Sequence, residues 1–133
     1  MSKLPWVIGG AAVVALAVVL VGPRAVEAAG HPEPRPGITA ERVLPATMLM
    51  NAGAGTLEAY EAARRVPQVL DGIYCHCDCS KSIGHRSLLT CFETNHGAGC
   101  DICQGEAVLA AKMHGSGNSL AQIRKAIDAQ FGS

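Results

Sequence analysis

The stretch DGIYCHCDCSKSIGHRSLLTCFETNHGAGCDICQGEA, residues 71–107, holds all six cysteines of the chain and three of its five histidines. Whatever fold the chain adopts must bring these groups to a metal, pair them as disulfides, or arrange them as a redox-active thiol centre. Cys75, Cys77 and Cys79 are spaced by two. In an extended segment their thiols would share one side, with His76 and Asp78 on the other, and successive thiols about 6.5–7 Å apart. One ion cannot reach all three across that spread. Either the segment curls around one ion, or the three thiols serve more than one. A disulfide inside Cys-x-Cys would be strained, so staples would reach instead to Cys91, Cys100 and Cys103.

Three partners for three cysteines suits a stapled module, but the density of the cluster argues the other way. Closing short loops removes less chain entropy than closing long ones, so staples spread along the chain would stabilise more. Cys100 and Cys103 form a C-x2-C that starts a helix. This places both sulfurs on one face, where the helix N-terminus favours thiolate. Metal binding and thiol–disulfide exchange both use that spacing.

Thiolates with imidazoles are soft ligands. Copper(I) ranks first, because it prefers sulfur and tolerates low coordination and multi-ion clusters. Zinc ranks second, since two ions could share the set in closed tetrahedra. Iron–sulfur ranks third, as none of its familiar cysteine spacings is present. The expected metal ligands are Cys75, Cys77, Cys79, Cys91, Cys100, Cys103, His85 and His96. His76 stands open between ligand and surface residue. His31 reads as solvated, and His114 as a cation suited to the end of a helix. Met48, Met50 and Met113 could assist copper, but core packing is the simpler reading. Asp78, Glu93, Asp101 and Glu106 read as solvated or capping residues. No Ser-His-Asp or paired-carboxylate arrangement stands out, so an enzyme is not the first expectation. The competing enzyme-like reading is a thiol oxidoreductase using Cys100 and Cys103, although no βαβ pattern supports a thioredoxin-like domain.

Around the cluster the pattern is helical. Residues 39–51 suggest a short helix disturbed by Pro45, and Gly53 and Gly55 break it. Residues 56–65 form a helix with Leu57, Tyr60 and Ala63 on one side, ending before Pro67. Residues 66–74 read as extended or irregular, and 85–92 as a helical turn or two. Residues 100–113 read as a helix stopped by Gly115. The clearest helix is 119–131, with a Ser119–Gln122 capping box and Leu120, Ile123, Ile127 and Phe131 on one face. The expected fold is all-α: a small helical domain, 39–133, with an irregular Cys-rich loop stapled by metal or disulfides. A domain this small gains from such support.

The first 29 residues read as a separate element. Lys3 precedes an uncharged run over 6–22, and small residues follow in AVEAAG. This is the layout of a secretory signal cut after Ala28 or Ala29, or of an uncleaved membrane anchor, since the run is at the short edge of what crosses a bilayer. Both place the domain in the periplasm or another extracytoplasmic space. Residues 30–38, with HPEPRPG, read as a stiff Pro-rich spacer. The formal net charge is zero, which argues against nucleic acid as a partner. The expected partners are a metal ion and an exported metalloprotein or membrane complex.

Y-C-x-C-x-C, then G-H-R-S-L-L-T-C-F, H-G-A-x-C-D-I-C and an amphipathic Ile-Arg-x-x-Ile-Asp helix resemble the exported bacterial proteins named for a CYCxC or PCYCGC motif. The resemblance covers roughly 74–131. It implies that the six cysteines, with His85 and His96 beside them, form the family's site. Selenoprotein members imply soft-metal or redox chemistry rather than inert staples. His76 departs from the pattern by replacing the usual aromatic between the first two cysteines.

Overall fold

The computed structural model describes residues 30–132, and these form a small all-helical domain without strands. The α-helices are α1 (Ala54–Arg65), α2 (Pro67–Asp71), α3 (Cys79–Ser82), α4 (Leu88–Phe92), α5 (Asp101–Gly115) and α6 (Leu120–Phe131). Short 3-10 turns occupy Ala40–Arg42, Ala46–Met48 and Asn95–Gly99. The expected signal or anchor segment lies outside the described residues. Among those described, no helix is long and apolar enough to cross a membrane.

The packing of α1 on α5 is the main helix–helix interface. Both helices bury small side chains: Ala59, Ala62 and Ala63 on one, Ala107, Ala110 and Ala111 on the other. Small residues let two helices approach closely, which compensates for a core with few large side chains. Tyr60 and Phe92 fill the end of this interface edge to face at 4.9 Å. The Tyr60 hydroxyl donates to the Thr94 carbonyl at 2.6 Å, so its polar tip is satisfied where its ring is buried. Helix α6 packs on α5 and buries Ile123 and Ile127. Its capping box is formed in both directions, Gln122 N–H to Ser119 Oγ and Ser119 N–H to Gln122 Oε1.

Several local expectations change. Residues 39–51 make two 3-10 turns separated at Pro45 rather than one disturbed helix. Helix α1 starts at Ala54 and runs through Gly55; Leu57 is exposed while Ala59 and Ala62 join the buried face. The stretch 66–74, expected to be extended or irregular, contains α2. Pro67 occupies its first turn, where a missing N–H costs nothing and the fixed φ is already helical. Five residues are too few to show a helical period.

Residues 30–38 lack helix, as their prolines require, but they are not a free spacer. His31, expected to be solvated, has a side chain only 2% exposed and bonds to Asp128 at 2.9 Å. Its Nδ1 accepts from the Tyr74 N–H. Pro34 lies so close to Gly72 that a Cβ there would sit 2.8 Å from its ring, so a side chain at 72 would push the segment off. The folded body therefore takes in residues before Thr39.

Asp71 anchors the same segment. It is fully buried and accepts from the Arg35 backbone N–H at 2.7 Å, the Arg35 guanidinium at 2.7 Å and Ser87 Oγ at 3.1 Å. Arg86 lies 3.0 Å from the same carboxylate. Burial alone would raise this carboxyl's pKa. The bonds from Arg35 and Ser87 outweigh it and hold Asp71 below the usual carboxylate range. A depressed folded pKa means that the contribution is complete above the unfolded value and is lost as pH falls through the folded one. Asp71→Asn is expected to cost about 3 kcal/mol, at the low end for a broken buried pair because both arginines can reach solvent. Denaturant titrations from pH 7 to pH 2 should show the loss at neutral pH and a flatter acid limb in the variant.

Candidate metal centre

Five elements converge on the thiols. The loop 75–78 carries Cys75 and Cys77, and α3 begins at Cys79. Helix α4 carries Cys91, the turn Asn95–Gly99 carries His96, and α5 brings Cys103 with Cys100 as its N-cap. The strict alternation of 75–79 does not produce a strand. Asp78 takes a left-handed conformation, φ 58°, and this reversal curls the chain so that its three sulfurs turn inward together. Asp and Asn tolerate that conformation better than other side chains. The next constraint is at Gly97, where a Cβ would meet the Phe92 ring at 3.0 Å and the Cys91 carbonyl at 3.1 Å. A bare backbone there lets the His96 turn lie against α4.

The result is a continuous sulfur cluster. Cys75 Sγ lies 3.2 Å from Cys103 Sγ and 3.4 Å from Cys77 Sγ. Cys77 and Cys103 are 3.5 Å apart, and Cys79 and Cys91 3.4 Å. All six cysteines are free thiols, at separations far beyond a disulfide bond of about 2.05 Å. Adjacent sulfurs sharing a tetrahedral ion at 2.3 Å would stand roughly 3.8 Å apart, so small side-chain shifts suffice to admit one. His85 Nδ1 is 3.3 Å from Cys91 Sγ, and the rings of His85 and His96 meet at 4.8 Å.

Two four-donor groups emerge, each with its ligand atoms within 4.8 Å of one another: Cys77, His96, Cys100 and Cys103, and Cys79, His85, Cys91 and His96. His96 belongs to both. Cys75 sits at the junction too, within the same distance of Cys77 and Cys79 in one trio and of Cys91 and Cys103 in another. The eight residues expected from sequence thus fall into two wings of three and two junction donors. That is enough for two four-coordinate ions, and more than one ion can use. His96 Nε2 is buried without a hydrogen-bond partner among the described residues. An orphaned imidazole nitrogen beside thiols is costly unless an ion takes it up.

The other candidates lie elsewhere. His76 turns away from the sulfurs. Its backbone N–H and Nδ1 meet Glu106 Oε1 at 2.9 and 2.6 Å, and its Nε2 lies 3.1 Å from Asp128. Met48 and Met50 are exposed on the surface rather than packed in the core, and Met113 is half-buried against the core. Among the four carboxylates expected to be solvated or capping, Glu106 is the exception: it is fully buried. Burial pushes its carboxyl up, against the opposing pull of His76 and Cys75. Sequence reading missed Glu106, His31 and Asp128 as supports of the site. The one signal was the Cys103–Glu106 spacing, which places both on one helical face.

The thiols differ in protonation. Cys75 is raised well above the usual thiol value, first by its hydrogen bond with Cys103 and then by burial. Cys79 is raised, chiefly by burial. At Cys77 burial also raises, but the neighbouring His96 imidazole and the surrounding thiols outweigh it and bring the value down to about 6. One thiolate is therefore ready at neutral pH, and the buried ones must lose protons to bind.

A small helical scaffold around a buried constellation of thiols and imidazoles defines a cysteine-rich protein with a site that could hold metal. The chain belongs to the family described as protein of unknown function with PCYCGC motif, whose model matches residues 36–133. No curated protein and no solved structure matches it. The glycine in the motif's name falls at Asp78, the left-handed position.

Because the buried thiols are held protonated, metal uptake should release protons. Each one displaced makes the apparent binding constant fall about tenfold per unit drop in pH below the thiol value. Zinc titration calorimetry in two buffers of different ionisation enthalpy should give several protons per chain. A count of zero would mean that the thiols are not the ligands.

Proposed function

We propose that this is an exported soft-metal-binding protein that sequesters copper(I) or delivers it to an exported partner. The observation that carries the reading is the convergence of five thiols and two imidazoles into two four-donor groups that share His96, with the sixth thiol, Cys75, at their junction and no carboxylate among them. Sulfur donors select soft ions, and copper(I) is the softest of the plausible cargoes. A shared thiol such as Cys75 suits a multi-ion copper cluster, where sulfur bridges. Zinc is the rival, favoured by the two imidazoles and by the four-donor count. Export is supported by the sequence of residues 1–29 and would bring such a site to a compartment where unprotected thiols oxidise. Bound metal would then also protect them.

Purification of the full chain from the exported fraction of a bacterial host supplied with trace copper and zinc, without air or chelator, tests this directly. Elemental mass spectrometry should find one or more copper ions per chain, and alkylation after denaturation should find the thiols unpaired. Cys103→Ser should lower the metal content. Zinc in place of copper would change the cargo and keep the site. No metal with three disulfides would overturn the reading in favour of a stapled module. Exchange with a test dithiol that Cys103→Ser abolishes would favour an oxidoreductase.

A further inference from the structure

The two donor groups are not equivalent in access. In the wing formed by Cys77, Cys100 and Cys103, only Cys103 is fully buried, while Cys77 and Cys100 are half-exposed. In the wing formed by Cys79, His85 and Cys91, both sulfurs are buried, at 1% and 0% exposure, and only the imidazole reaches the surface. The wings also differ in what they tie together. Cys79 and Cys91 are core residues, packed with Leu88, Leu89 and Phe92. Cys77 and Cys100 belong to a loop and a helix N-cap at the rim of that core.

Resting on the metal-binding reading above, we propose that the centre holds two ions with different tasks. The ion of Cys77, Cys100 and Cys103 is the exchangeable cargo. The ion of Cys79, His85 and Cys91 is a resident ion that fixes α3, α4 and the intervening loop. Cys75 and His96 complete the two coordination spheres from the junction. Ligand exchange at a soft ion is associative, so an incoming thiolate must reach the metal before an old ligand leaves. It can do so at the half-exposed edge of Cys77 and Cys100. One metal–sulfur bond forms on the acceptor as one breaks on this chain, the freed cysteine takes a proton from water, and the ion keeps its oxidation state. Removing that ion leaves two thiols that water can reach. Removing the other leaves buried thiols crowded against one another, which is the situation of a closed structural site. The recipient is accordingly a protein or small molecule offering a surface thiolate pair to this edge.

The test uses the full chain loaded with zinc alone and challenged with a chromophoric chelator in excess. Two equivalents should leave in two phases whose rates differ on the order of tenfold or more. Cys100→Ser, which keeps a side-chain acceptor at the N-cap of α5, and Cys77→Ser should each delete the fast phase and retain the slow equivalent. Cys79→Ser should delete the slow equivalent and lower the melting temperature more than either. Two equivalents released at one rate, a single bound equivalent, or loss of the slow phase in the Cys100 and Cys77 variants would overturn the inference and leave metal binding standing. No bound zinc and no bound copper would overturn metal binding itself.

Discussion

The site depends on one buried carboxylate. Glu106 lies one turn after Cys103 on the inner face of α5 and accepts both the backbone N–H and the ring nitrogen of His76. Burying that group with no partner at all would cost several kcal/mol, and the two bonds from His76 to its Oε1 hold the loop 75–78 against α5. With His76 fixed, its neighbours Cys75 and Cys77 have little choice but to face the Cys103 sulfur. A residue between two ligands, rather than a ligand itself, thus sets the register of the cluster. The aromatic that the family carries at this position could fill space, but it could not bind the carboxylate in the same way.

The same logic extends outward. His76 also meets Asp128 of α6, and Asp128 in turn bonds His31. His31 receives the N–H of Tyr74, the residue just before the first thiol. The N-terminal segment, the cysteine loop and the last helix are therefore joined by one chain of hydrogen bonds. On the other side of the loop, Asp71 ties Arg35 of that segment to Arg86 and Ser87, just ahead of α4. The Pro-rich stretch thus acts as a strap held at both ends, and the cysteine loop lies between its anchors.

How much of this could be read from sequence follows from the range of each interaction. Helices α1, α5 and α6 were legible because each is long enough to show a period and carries local start or stop signals. The all-α class followed from them. Helix α2 was not, because its identity rests on one proline and on the burial of Leu70 and Asp71 by distant residues. The convergence of the eight thiol and imidazole donors was legible from their density alone. Their division into two groups was not, since it depends on the left-handed turn at Asp78 and on the bare backbone of Gly97. The supports were hidden for a similar reason. Glu106, His31 and Asp128 are ordinary polar residues until long-range packing sets them beside one another, and no spacing along the chain announces a bond between positions 31 and 128.

A cargo site of the kind proposed would raise a difficulty that a purely structural metal site does not, since the fold would have to survive when the ion leaves. Many small cysteine-rich domains fail this requirement, because their metal is most of their core. Here the largest interface, α1 on α5, buries alanines from both helices, with the Tyr60–Phe92 ring pair beside them. Helix α6 adds Ile123 and Ile127 to the buried core and meets the cysteine loop through Asp128 and His76. In the proposed arrangement this apolar and electrostatic framework would remain when the outer ion leaves, and the outer donors would be free to be chosen for exchange.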